Sequence, residues 1–110
     1  NVETCGVKII DKIQINVDSI ENILNEYCNG ICPDFMSLDI EGEEVNVLNS
    51  VCSFLVKPKI ICVETVEYAE TGMPKKTLEI KDILESNGYF LFADTYINSI
   101  FVQKCLWEKR

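Results

Sequence analysis

The hydrophobic and polar positions along the chain fall into short blocks that predict an α/β fold. Residues 35–40 form an apolar run without regular alternation, which is typical of a strand covered on both faces of a parallel sheet. A second apolar run, over residues 59–65, predicts another such strand. Between them, residues 43–55 carry a wide apolar stripe with helical spacing. A strand, helix and strand of these lengths make a right-handed crossover, so we expect the two strands to be parallel.

The segments on either side of this unit predict an outer strand, a helix and a loop. Residues 7–17 alternate β-branched and polar side chains, which is typical of a half-exposed strand at a sheet edge. An apolar stripe over residues 20–28 predicts the helix, with Asp18 as its expected N-cap. Residues 66–76 are polar and predict a loop that either covers a substrate or only connects two elements.

The last third of the chain predicts a helix followed by a hairpin. Thr77 is expected to cap the helix, and Asn87 with Gly88 to end it. Residues 89–93 and 99–103 are apolar runs separated by a short polar turn, so they should pair as an antiparallel hairpin.

Acidic residues are concentrated where the first central strand ends. Asp39 and Glu41 fall at its carboxyl end, which is the end where open α/β sheets bind ligands. Gly42 permits a sharp turn, and Glu43 and Glu44 then fall in the first helical turn, where the helix dipole favours negative charge. We interpret the last two as helix-start residues. Asp39 either is hydrogen-bonded within the fold or faces a ligand cleft, and the pattern leaves both open.

A further acid, Glu64, ends the second central strand. Parallel strands end at the same edge of a sheet, so we expect Glu64 beside Asp39. Two carboxylates that face one cleft repel each other, which raises the proton affinity of one or attracts a cation. The alternative is that Glu64 accepts a hydrogen bond from a backbone turn. In the segment that follows, Tyr68 is the residue we expect to contact a substrate.

Composition limits the functions that the chain can have. A net charge of -8 and a pI near 4.4 argue against nucleic acid and anionic membranes as partners. No apolar run is long enough to cross a membrane and no signal peptide is visible, so a cytoplasmic location is the expectation. The six cysteines lack metal-ligand spacing beyond Cys28 and Cys32, and histidine is absent. We therefore expect reduced thiols and no metal.

Several segments together resemble the signature of the FkbM-type S-adenosylmethionine-dependent methyltransferases. The central motif is residues 38–44, which read LDIEGEE. Other segments agree with the family in order and spacing, namely residues 17–24, 57–64, 84–89 and 98–102. The resemblance covers about residues 13–104. Ser37 departs from it, because the family usually carries a lysine at that position.

The resemblance implies a partial Rossmann-like sheet of mostly parallel strands, with a C-terminal antiparallel hairpin and helices packed on the sheet. Such enzymes hold the cofactor with a glycine-rich turn, whereas the five glycines here are isolated. The first residue is not methionine. We therefore expect residues 1–110 to be one domain, the carboxyl-terminal half of a methyltransferase, which alone is inactive and binds no cofactor.

In the complete enzyme, the resemblance implies transfer of a methyl group from S-adenosylmethionine to a sugar or other hydroxyl acceptor. Asp39 and Glu41 are the expected catalytic residues, with Asp39 as base or orienting group, and Glu64 and Tyr68 are expected to contact the acceptor. Two alternatives remain. The three acids could hold Mg²⁺ for phosphoryl transfer, although no basic residue lies nearby for a phosphate. The chain could also be a non-catalytic interaction module that self-associates through an exposed strand edge.

Overall fold

A computed structural model of the chain describes residues 8–68 and 74–109. The helices and strands of these residues are, in chain order, α1 Ile20–Tyr27, β1 Phe35–Leu38, α2 Glu44–Cys52, β2 Ile60–Glu64, β3 Val66–Tyr68, β4 Pro74–Lys76, α3 Glu79–Ser86, β5 Tyr89–Asp94, β6 Asn98–Gln103 and α4 Lys104–Glu108. The α/β class predicted from the sequence is confirmed, and so is the succession of helices and strands around the central strand.

The main sheet has the strand order β1-β2-β6-β5. β1 runs parallel to β2, as predicted, and β5 and β6 form the predicted antiparallel hairpin. β6 also lies antiparallel to β2, so only one of the three pairings in this sheet is parallel. The expectation of a mostly parallel sheet is therefore wrong. The reason is that β6 turns back from β5 and inserts between it and β2.

The hydrophobic core lies on one face of this sheet, beneath α1, α2 and α3. The sheet contributes Met36, Ile61 and Phe101, while α2 contributes Leu48 and Val51. Helical spacing explains this arrangement, because apolar residues three or four positions apart share one face of each helix.

The opposite face of the sheet is less covered than the sequence predicts. In β1, Met36 and Leu38 are buried while Phe35 is 57% exposed, so the expectation that this strand is covered on both faces is wrong for the described residues. Trp107 of α4 packs on this second face, with its ring centroid 5.7 Å from that of Phe90 and 5.3 Å from that of Phe92.

The predicted outer strand is not formed. Residues 8–17 contain no regular structure, and their apolar side chains are exposed, with Ile10 at 98% and Ile13 at 81%. Alternation alone does not make a strand, because a strand also needs a neighbour that takes its backbone hydrogen bonds. The helix that follows is capped by Ser19 and not by Asp18, since the Ser19 hydroxyl accepts a hydrogen bond from the Asn22 amide.

The segment predicted as a loop contains a small hairpin in which β3 pairs antiparallel with β4. Thr77 does not cap the next helix: the N-cap of α3 is Leu78, and the buried Thr77 hydroxyl has no hydrogen-bond partner among the described residues.

No helix in the described part of the chain is both long enough and apolar enough to cross a membrane.

Candidate active site

Three acidic side chains meet at the carboxyl ends of β1 and β2. Asp39 follows β1 directly, Glu41 lies in the turn after it, and Glu64 is the last residue of β2. One carboxylate oxygen from each of them lies within 4.8 Å of the other two. The parallel register, in which Leu38 pairs with Val63, causes this proximity. The prediction that Asp39 and Glu64 share one edge of the sheet is confirmed.

A strained turn carries Glu41 into this cluster. The φ angles are 53° at Glu41 and 108° at Gly42, both in the left-handed region. For a residue with a Cβ this conformation costs roughly 1–2 kcal/mol, so neighbouring contacts must compensate for it. The Glu44 carboxylate does so by accepting hydrogen bonds from the amides of Gly42, at 2.9 Å, and Ile40, at 3.4 Å. Glu44 is only 7% exposed.

Glu43 is the N-cap residue of α2 and Glu44 its first residue, so both lie at the helix start as interpreted, but the Glu43 side chain makes no capping hydrogen bond. The Glu43 carboxylate accepts a hydrogen bond from the Asn46 side-chain amide at 2.7 Å. The sequence pattern alone did not show that Glu44 reaches back to hold the turn, because any acid in a first helical turn gives the same pattern.

Asp39 and Glu64 are joined by a hydrogen bond that raises the pKa of Glu64 to about 7. Partial burial and the negative charges of Asp39, Glu41 and Glu44 raise this pKa further. A hydrogen bond between two carboxyl groups requires that one of them keeps its proton. With a pKa of about 7, Glu64 keeps this proton in a large fraction of molecules near neutral pH. The raised pKa of Glu64 agrees with a retained proton, and the carboxylate oxygens of Asp39, Glu41 and Glu64 also lie close enough together to hold a cation.

A cavity of about 360 Å³ opens beside these acids. It is lined by Glu41, Gly42, Glu44, Val45, Glu64, Val66, Thr77 and Ile80. Among the described residues of this lining, each charged one is a glutamate and none is a lysine or an arginine. A neutral or cationic ligand suits such a cavity, whereas an anionic one would be repelled.

The structure places the remaining predicted site residue, Tyr68, in β3, but its side chain lies outside the described residues. Among the lining residues, Thr77 and Ile80 were missed as site residues. Thr77 was predicted as a helix cap, and Ile80 lies in the apolar stripe of the same helix; no local pattern distinguishes such positions from the wall of a cavity.

Comparison with known proteins gives one result. The family model described as the methyltransferase FkbM domain matches residues 3–91. This match covers most of the chain and includes the acidic cluster and the whole lining of the cavity. No curated protein and no solved structure gives a match.

Proposed function

We propose, from the premise that the chain belongs to the FkbM methyltransferase family, that its cavity is the acceptor side of an S-adenosylmethionine-dependent O-methyltransferase. The family supports methyl transfer as the reaction class. The observation that carries the rest is Glu64, which lines the cavity and is hydrogen-bonded to Asp39. Such a pair suits the removal of a proton from an acceptor hydroxyl.

A glycine-rich turn, the usual cradle for the cofactor, follows none of the described strands. Gly42 is the one glycine among the described residues that line the cavity. We therefore propose that the chain is the carboxyl-terminal half of the methyltransferase fold, and that S-adenosylmethionine is held mainly by residues outside it.

Glu64 and Asp39 carry out the removal of the proton from the acceptor hydroxyl. A general base is most effective when its pKa lies near the working pH. Glu64, with a pKa of about 7, is ionised in a large fraction of molecules at neutral pH and can then accept the hydroxyl proton. Once Glu64 has taken the proton, its carboxyl group can donate a hydrogen bond to Asp39, which stabilises the protonated form. Glu41, at the same cluster, orients the acceptor by accepting a hydrogen bond from one of its hydroxyl groups.

The charge of the lining supports a sugar or another neutral polyol as the acceptor. Glu41, Glu44 and Glu64 would repel a carboxylate or a phosphate, whereas hydroxyl groups can donate hydrogen bonds to them. The same observation counts against phosphoryl transfer with Mg²⁺. The clustered oxygens of Asp39, Glu41 and Glu64 favour that second function, but the described part of the lining supplies no cation for a phosphate.

The proposal is tested with the complete protein that contains this chain. Methyl transfer from radiolabelled S-adenosylmethionine to a panel of neutral sugars is measured for the wild type, Asp39→Asn and Glu64→Gln. Loss of a general base typically lowers a rate by about 10²–10⁴-fold, so we expect kcat to fall by at least about 100-fold in Glu64→Gln.

Glu43→Gln is the matched control, because Glu43 contacts Asn46 and does not line the cavity. Unchanged methyl transfer in both Asp39→Asn and Glu64→Gln would refute the role of the pair. Tight binding of S-adenosylmethionine by residues 1–110 alone, measured by calorimetry, would refute the assignment of the cofactor site to residues outside them.

A further inference from the structure

Lys76, the last residue of β4, connects separate parts of the fold through its ammonium group. Nζ donates hydrogen bonds to Thr65 Oγ1 at 2.7 Å, to Asp94 Oδ1 at 2.7 Å and to the Tyr96 carbonyl oxygen at 2.5 Å. Ser99 Oγ lies 3.3 Å away as a further acceptor. Nζ also lies 5.4 Å from the centroid of the Tyr96 ring, within range of a cation–π contact.

These contacts join the β3–β4 hairpin to the turn between β5 and β6. Thr65 immediately precedes β3, whereas Asp94, Tyr96 and Ser99 belong to β5, the turn and β6. Lys76 Nζ and Asp94 Oδ1 lie 2.7 Å apart and form an ion pair, in which the hydrogen bond from the ammonium lowers the pKa of Asp94. The Lys76 side chain is 25% exposed, so water screens this contact less than it screens a pair at the open surface.

The residues that Lys76 holds are next to residues that line the cavity. Thr65 lies between Glu64 and Val66, and Lys76 is followed by Thr77. Glu64, Val66 and Thr77 all line the cavity. The Thr77 amide donates a hydrogen bond to the Thr65 carbonyl oxygen at 2.7 Å, so the start of β3 and the end of β4 move together. A shift of Lys76 would therefore displace Val66 and Thr77 together.

We propose that Lys76 is a positioning residue that fastens the β3–β4 hairpin to the main sheet and so fixes the cavity wall formed by Val66 and Thr77. The assignment of this cavity wall to an acceptor site rests on the proposed function. The attachment of the β3–β4 hairpin to the main sheet by Lys76 does not depend on that function, and it can be measured without cofactor or acceptor.

The test compares backbone amide hydrogen exchange in the wild type, Lys76→Met and Lys76→Arg. Methionine keeps the length of the apolar stem and removes the charge and the donors, whereas arginine keeps both. In Lys76→Met we expect exchange of the Thr65 and Thr77 amides to be about 10-fold faster, because local opening sets these rates. Amides of Leu48 in α2 and Leu84 in α3 should keep their rates.

Lys76→Arg should restore most of the protection at Thr65 and Thr77. Lys104→Met is the matched control, because Lys104 is exposed, and it should change neither amide. If Lys76→Met fails to fold, Asp94→Asn removes the charged partner alone and should give a smaller acceleration at the same two amides.

A second measurement reports on the cavity. The carbon-13 chemical shift of the Glu64 carboxyl group gives its pKa, and Lys76 is not among the groups that set that pKa. If the hairpin loosens, water reaches Glu64 and its pKa falls in Lys76→Met but not in Lys104→Met.

Unchanged exchange at Thr65 and Thr77 in Lys76→Met would overturn the proposal. Equal acceleration at Leu48 and Leu84 would overturn it as well, since that result means global destabilisation. An inactive complete enzyme with the predicted local exchange would refute the proposed function and leave the positioning role of Lys76 intact.

Discussion

The hydrogen bond between Asp39 and Glu64 gives Glu64 a pKa that a glutamate in water does not have. An ordinary glutamate has lost its proton well below neutral pH, whereas the pKa of Glu64 is about 7 because of its hydrogen bond with Asp39, its partial burial and the nearby negative charges. Spacing along the chain predicted that the two acids meet, since parallel strands end together. It did not predict which of them retains the proton, because that depends on side-chain orientation and burial.

The titration of Glu64 is the first prediction at this scale. Nuclear magnetic resonance of the carboxyl carbon should give a midpoint near 7 in the wild type. In Asp39→Asn the midpoint should fall, because the nearest negative charge and the shared proton are both removed. A midpoint that is the same in both proteins would mean that burial alone sets this pKa.

The same shift makes stability depend on pH. The pKa of Glu64 is higher in the folded chain than its ordinary 4.5, so the folded state binds this proton more tightly than the unfolded state does. Its contribution to stability is complete below pH 4.5 and is lost as the pH rises to about 7. Urea unfolding of the wild type should therefore show a free energy that declines over this range relative to Glu64→Gln. Parallel curves for the two proteins would contradict this expectation.

At the scale of elements, periodicity predicted the three helices that pack on the sheet, and Asn87 ends α3 as expected, but the predicted N-caps of α1 and α3 were wrong. The stripe of α1 places Leu24 in the core whatever residue starts the helix. Asp18 and Ser19 are both good N-cap residues, so the sequence could not decide between them. The outer strand failed for a different reason. Residues 8–17 have the right alternation, but a strand also depends on a partner elsewhere in the fold.

The cap of α1 provides a prediction with its own control. Ser19→Ala removes the hydroxyl that accepts from the Asn22 amide and should lower the free energy of unfolding by about 1 kcal/mol. Asp18→Ala should cost less, because Asp18 accepts from the Ser19 amide and the Asn22 side chain at an exposed position. Urea unfolding measures both. A larger loss in Asp18→Ala would show that the aspartate is the effective cap.

At the scale of the whole molecule, the sheet has an open edge and a partly open face. Local patterns predicted the β5–β6 hairpin, but not that β6 lies between β2 and β5, because nothing in the sequence of β6 specifies its second neighbour. β1 ends the sheet, and no other described strand pairs with its outer edge. Phe35 of β1 is 57% exposed, and its neighbour Ile60 is 36% exposed.

An open edge beside exposed apolar side chains favours association between chains. We therefore expect residues 1–110 to self-associate with increasing concentration in sedimentation experiments. Phe35→Lys should reduce this association, because edge lysines oppose strand pairing. Leu55→Lys is the control, since Leu55 is 98% exposed and lies outside the sheet. A strictly monomeric wild type at high concentration would contradict the prediction.

The insertion of β6 has a consequence for the nascent chain. A ribosome delivers β1, β2 and β5 before it delivers the strand that joins β5 to the other two. Until residue 103 has left the exit tunnel, Ile61 of β2 and Leu91 of β5 lack the cross-strand neighbour that Phe101 provides to both. The hydrophobic core therefore stays incomplete until β6 has been synthesised. During this interval chaperones can bind the exposed apolar side chains.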